Sequence, residues 1–207
     1  MILFTGIFAI VAYLLGSIPS AVWVGKSFYQ TDVREHGSKN AGATNTFRIL
    51  GKKAGIIVLL IDILKGAAAV FLPLTQAARF NAEELIILQL VAGASVFLGH
   101  VFPLFAQFRG GKGVATSLGI IIAIHPPAAG MCAALFLFVF IISHYVSLGA
   151  MCAACLFPIA VIFIFGSTSL YLNLFSILIA ATVIVTHKKN ILRLWKGEEN
   201  KMNLFKR

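Results

Sequence analysis

Long apolar runs alternate with short polar, glycine-rich segments along this chain. The apolar runs are Ile2–Val24, Ala54–Leu74, Leu85–Phe105, Val114–Ile124, Ala128–Ser143, Leu148–Phe165 and Leu170–Thr186. About 20 apolar residues carry a helix across a bilayer core, where each backbone polar group must be satisfied within its own segment. The pattern therefore predicts an all-α integral membrane protein with seven transmembrane helices, forming a single domain over residues 1–207. The fourth run is short, so its helix is expected to start within the membrane or to be shielded by neighbours. Pro126-Pro127 should end it and open the fifth. The first run has no basic stretch before it and reads as a retained helix rather than a cleaved leader.

Composition supports this class. The chain is 59% hydrophobic and 12% charged, whereas a soluble domain is about half apolar and about a quarter charged. The net charge is +10, but its cations sit in short loops. No basic domain exists to clasp a nucleic acid, and anionic lipid head groups or phosphorylated substrates are the better partners. Cys132, Cys152 and Cys155 lie inside apolar runs and read as small packed side chains rather than a redox or metal set.

The cations also set the orientation. One side of the membrane receives Lys26, Arg34, Lys39, Arg48, Lys52, Lys53, Arg109, Lys112 and the tail from Lys188, while the other receives Arg79 with Glu83 and Glu84. Positive residues mark the cytoplasmic face. The N-terminus is then outside, the C-terminus is cytoplasmic, and the glycine-rich polar loops all face the cytoplasm. Asp62 and Lys65, three apart in the second run, are expected to pair because lone charges in hydrocarbon are costly. The tail NILRLWKGEENKMNLFKR has helical apolar spacing and could lie at the interface with Trp195 as an anchor.

Four polar segments carry the candidate chemistry: GSIPSAVWVGK (Gly16–Lys26), GSKNAGATNTFRILGKKAG (Gly37–Gly55), GHVFPLFAQFRGGKGVAT (Gly99–Thr116) and HKKN (His187–Asn190). Glycines let backbone N–H groups approach an anion, helix N-termini favour negative charge, and Lys or Arg supplies the counter-charge. GGKG is not a Walker loop, since Ala106 stands where the first glycine belongs and Gly113 where Ser or Thr belongs. Carboxylates are scarce near these loops, so neither a metal nor a cofactor is expected.

These segments, in this order, resemble the bacterial acyl-phosphate:glycerol-3-phosphate acyltransferase family. The resemblance covers nearly the whole chain. It implies a seven-helix enzyme of the bacterial inner membrane, expected to be a monomer. Such an enzyme moves a fatty acyl group from acyl phosphate to the 1-hydroxyl of glycerol 3-phosphate, giving lysophosphatidic acid for phospholipid synthesis. The donor is already activated, so no acyl-enzyme is needed. Carried over residue by residue, the resemblance implies Ser38, Lys112 and His187 as catalytic residues. It implies Asn40, Thr44, Asn45, Arg48, Gly111, Ser147 and Asn190 as substrate-binding residues. Arg48 and Lys112 would bind the two phosphates. Ser38 and Asn45 would contact the reacting centre or a phosphate, and His187 would hydrogen-bond the attacking hydroxyl or act as base.

The chain departs from the family pattern in two places. GSKN has Lys39 where glycine is common, which adds a cation and removes backbone freedom. HYVSLGA (His144–Ala150) has His144 for Arg, and Gly149-Ala150 where hydroxyl residues often occur; Ser147 is kept. His36 and His100 read as structural, and His125 should lie on the outer side. A transporter of a phosphorylated metabolite would also use polar loops, but no polar stripe threads the spans. A serine hydrolase lacks its G-x-S-x-G elbow. No histidine has Asp five residues on, which argues against direct thioester donors.

Overall fold

The computed structural model describes residues 1–202. Among them the chain is helical, with no strand, and forms two compact units that meet in sequence at Ile124 and His125.

The first unit holds α1 (Ile2–Gly16), α2 (Ser20–Tyr29), α3 (Ala43–Phe71), α4 (Ala82–Val101) and α5 (Val114–Ile124). Glycine sets its packing, since helices in lipid associate by close backbone approach at small residues. A Cβ on Gly16 would overlap the Val96 carbonyl and one on Gly99 the Tyr13 carbonyl, so α1 and α4 touch through both. Gly66 against Thr116 and Gly119 against Ile63 do the same for α3 and α5. Beneath the loops, Ala21, Val24, Val33, Ala54 and Val58 form a buried apolar cluster. The helix α4 starts at a reciprocal cap: Glu84 N–H donates to Asn81 Oδ1 at 2.9 Å, and Asn81 N–H to Glu84 Oε2 at 3.1 Å.

The first apolar run is not one helix. It breaks at Ser17–Pro19, because proline has no N–H to continue the ladder and its ring crowds the preceding turn. The freed Ile18 carbonyl accepts from Lys65 Nζ at 3.0 Å, so a neighbouring helix satisfies the break. The second run also differs, since α3 begins at Ala43, well before Ala54, and bends at Gly51, whose φ is +85°.

The second unit holds α6 (Pro126–Ser143), α7 (Val146–Ile159), α8 (Leu170–Thr186) and α9 (Lys188–Trp195). The proline pair opens α6 at its first positions, with His125 Nδ1 accepting from Ala128 N–H at 3.2 Å. Pro158 lies inside α7, which widens into a π turn at Ala160–Ile164.

Among the described residues, five helical stretches are long and apolar enough to cross a membrane: Ile2–Tyr29, Ala43–Arg79, Ala82–Ala106, Pro126–Ser143 and Val146–Ile164. The pair α8 and α9, bent by 58°, makes a sixth if counted as one span. The helix α5 has 11 residues, about half the length needed to cross a ~30 Å core. As part of the tail, α9 is helical with Trp195 exposed, and residues 203–207 of that reading lie outside the described residues.

Candidate active site

Three of the four polar segments meet in the first unit. A small niche is lined by Ser20 from the first, Ala41 from the second, and His100, Gly110 and Gly111 from the third, together with Lys65 of α3.

The second segment is folded around Asn45, which is 1% exposed. Its Nδ2 donates to the Val33 carbonyl at 2.7 Å and the His36 carbonyl at 3.2 Å, and its Oδ1 accepts from Ser38 N–H at 2.9 Å. Both donors of this amide are thus spent on the loop, and Asn45 shapes the backbone that presents Ser38. Ser38, Asn40 and Thr44 are half-buried around the start of α3. That helix begins at Ala43, and its N-cap, Gly42, has no side chain to cap the first turn, where a helix end favours an anion. Arg48 is half-buried one turn further on, just before the bend at Gly51.

The loop is tied to its neighbours through Arg34. The guanidinium donates to Asp32 at 2.7 and 3.0 Å and to the Ala106 carbonyl at 3.0 Å, linking the stretch just before the second segment to the third. Lys26 adds a contact to Asp32 at 3.3 Å. Hydrogen bonding from Arg34 holds the Asp32 carboxyl well below its ordinary range, against the opposing effect of burial. A depressed carboxyl stabilises the fold above about pH 4 and loses that contribution as pH falls further.

Lys39, the departure in this loop, has φ +58°. The left-handed region crowds a Cβ by roughly 1–2 kcal/mol, which explains glycine at the matching family position. Lys39→Gly should raise stability by about 0.5–1 kcal/mol, the strain relieved less the chain entropy glycine loses. Thermal unfolding in detergent checks this, and a lower midpoint would mean that the lysine side chain itself holds the turn.

The third segment closes as a glycine turn before α5. Gly110 N–H donates to the Val101 carbonyl and Gly111 N–H to the His100 carbonyl, each at 3.2 Å. Gly113 has φ +82° and lies against the Phe97 ring, where a Cβ would overlap it. Lys112 is half-buried between these glycines, immediately before the N-terminus of α5. Position and helix dipole together favour an anion here.

The second unit carries its own polar cluster. Glu199, 9% exposed, accepts from Ser147 Oγ at 2.8 Å and Asn190 Nδ2 at 2.6 Å through Oε1, and from Arg193 Nε at 2.7 Å through Oε2. Burial raises its carboxyl pKa, but the hydrogen bonds from Asn190, Arg193 and Ser147 outweigh it and hold the group below its ordinary value. His187 is 2% exposed, and its Nδ1 lies 2.8 Å from the Val183 carbonyl. A carbonyl can only accept, so Nδ1 carries the proton and Nε2 is the basic nitrogen of the neutral ring. His144 is the left-handed C-cap of α6, and its carbonyl accepts from Met202 N–H at 2.9 Å.

Sequence reasoning passed over Glu199 as one acid of the tail, although a carboxylate amid HKKN, Arg193 and Lys196 is a signal for a local charge partner. His100, structural by its sequence setting, lies against Gly111 of the glycine turn, and Arg34 reaches the Ala106 carbonyl.

The chain is similar to known proteins in sequence and in fold. The profile of the family described as glycerol-3-phosphate acyltransferase matches residues 6–197. A glycerol-3-phosphate acyltransferase of Fusobacterium nucleatum is 46% identical over 196 residues, covering 94% of this chain and 96% of its own. One from Listeria monocytogenes is 45% identical, with 94% of each chain covered. The crystal structure of PlsY (YgiH), an integral membrane glycerol 3-phosphate acyltransferase in its glycerol 3-phosphate form, superposes with a TM-score of 0.86 at 34% identity. It covers 98% of this chain and 99% of its own. Its lysophosphatidic acid form superposes with a TM-score of 0.83 at 33% identity, covering 96% of this chain and 95% of its own. Matched over almost its full length in sequence and in fold, this chain belongs to the glycerol-3-phosphate acyltransferase family.

Proposed function

We propose that this protein transfers a fatty acyl group from acyl phosphate to the 1-hydroxyl of glycerol 3-phosphate, in phospholipid synthesis. The hydroxyl oxygen attacks the acyl carbon, the bond from that carbon to the bridging phosphate oxygen breaks, and inorganic phosphate leaves with the electron pair. The products are lysophosphatidic acid and phosphate. The observation that carries this reading is the glycine turn presenting Lys112 ahead of α5, with Gly111 close to the Ala41 carbonyl of the Ser38 loop, in a family whose solved relative is described with glycerol 3-phosphate.

Lys112 and Arg48 bind the substrate phosphates and stabilise charge on the departing one. Gly111 and the amides at the start of α3, with Asn40 and Thr44, complete the phosphate contacts. Ser38 donates to the donor carbonyl or a phosphate, and Asn45 sets its backbone. The family resemblance gives His187 the part of base for the hydroxyl proton, and within the second unit Glu199 holds the Asn190 and Ser147 side chains in place. No metal or cofactor enters.

The protein acts as a monomer in the bacterial inner membrane, as a seven-span chain with its N-terminus outside and its C-terminus and site cytoplasmic. The one-sided distribution of cations supports this. Single cysteines at positions 39, 112 and 188 should resist an impermeant thiol reagent in intact cells, and one at 79 should react. Labelling of 39 or 112 from outside would overturn the orientation.

Transfer is direct. Ser38 has no carboxylate–histidine relay in its own loop, and the mixed anhydride needs no covalent activation. Incubation with radiolabelled acyl phosphate alone should leave no label on denatured protein, and initial rates should show a ternary complex. Stoichiometric label on a Ser38 peptide, released by glycerol 3-phosphate, would establish an acyl-enzyme instead.

A further inference from the structure

Asp62 and Lys65 on α3 and His100 on α4 form a buried charged cluster in the first unit, each 6% exposed or less. Asp62 and Lys65 pair at 2.8 Å. That pairing alone would answer the cost of charge among apolar helices. The cluster is built further than this. Ser20 Oγ donates to Asp62 Oδ1 at 2.7 Å, and Lys65 Nζ also donates to the Ile18 carbonyl at 3.0 Å. His100 Nδ1 stands 3.5 Å from the same Asp62 oxygen, a close electrostatic contact without hydrogen-bond geometry.

The other edge of the imidazole faces the glycine turn. His100 Nε2 occupies the space where a Cβ on residue 111 would lie. The backbone of His100 receives the Gly111 N–H, and the next carbonyl, Val101, receives Gly110 N–H. The turn is therefore laid against His100 through both ring and main chain, and Lys112 is the following residue. A flat ring fills the gap that glycine leaves, and the charge of Asp62 at its far edge biases the ring's setting, a bias an alkyl side chain would not feel.

We propose that His100, oriented by Asp62 with Lys65 and Ser20, is a positioning residue: it sets the Gly110–Gly111 turn and through it the placement of Lys112 against a substrate phosphate. Its kinetic test rests on the acyltransferase reading above. Small displacements of a charge-stabilising group are costly, up to ~100-fold per ångström, so a modest relaxation of the turn is enough to matter.

The test is a double-mutant cycle on purified protein, joined to hydrogen exchange of the 104–113 segment. His100→Ala should lower kcat/KM by about 10- to 100-fold in the native background, and by less than about twofold on top of Lys112→Ala, because both changes act through one group. Exchange at Gly110, Gly111 and Lys112 should quicken while the Ser38 loop is unchanged. Gly111→Ala should also lose activity, and adding His100→Ala should cost little more, since the vacated ring makes room for the methyl group. Should His100→Ala not fold, His100→Gln and Asp62→Asn test the same coupling. Equal losses in both Lys112 backgrounds, or unaltered exchange in the turn, would overturn the proposal. If the native protein fails to acylate glycerol 3-phosphate, the functional reading has failed, and the exchange data still decide whether His100 holds the turn.

Discussion

Replacing Lys112 by alanine should leave a folded, inserted protein with kcat/KM lowered by about 30- to 1,000-fold, corresponding to ~2–4 kcal/mol of lost transition-state stabilisation. The side chain is half-buried in a turn whose backbone bonds are made by Gly110 and Gly111, so its removal leaves the turn's own contacts in place. What is lost is a cation placed where phosphate gains charge as the anhydride bond breaks. Arginine should restore the charge but only part of the rate, since its planar fork does not reproduce a compact ammonium. Steady-state kinetics with both substrates varied, alongside thermal unfolding, checks this. Unchanged turnover with unchanged apparent affinities would remove Lys112 from the site.

The second large effect is on stability. Asp62→Ala should destabilise the protein by about 3 kcal/mol or more, because it leaves the Lys65 ammonium buried without its carboxylate. The remaining bond to the Ile18 carbonyl keeps the cost at the low end of the usual range. Replacing the pair together, Asp62→Leu with Lys65→Met, should recover most of the lost stability, since an apolar pair of similar volume carries no desolvation penalty. That double variant should still be a poor enzyme if the cluster also orients His100. Unfolding midpoints in detergent for the single and double variants check the first claim, and a stable Asp62→Ala protein would contradict it.

Much of this architecture was legible in the residues. Alternating apolar runs and glycine-rich loops located the helices, and Pro126-Pro127 marked the boundary between α5 and α6. The Asp62–Lys65 pairing followed from the cost of lone charge in hydrocarbon. The interruption at Ser17–Pro19 did not follow from hydropathy, because Ile18 and Pro19 continue an apolar run while the backbone between them is broken. The early start of α3 was hidden for the opposite reason: Thr44–Lys53 is too polar to resemble a span, yet it forms the first turns of that helix.

The site shows the same division. Residue types revealed where phosphate-handling groups lie, but not what each side chain touches. Asn45 looked like a ligand for substrate, and its amide is committed to Val33, His36 and Ser38. Glu199 meets Ser147 from 52 residues away, a pairing that no local spacing encodes. His100 lies beside Gly111 only because α4 and the glycine turn fold back on each other.

Donor choice decides whether the acyl group comes from acyl phosphate. Purified protein would be given glycerol 3-phosphate with acyl phosphate, acyl-coenzyme A or acyl carrier protein, and lysophosphatidic acid would be measured by mass. Product formed from acyl phosphate, and none from either thioester, is the expected result. Lysophosphatidic acid formed from a thioester but not from acyl phosphate would contradict the account.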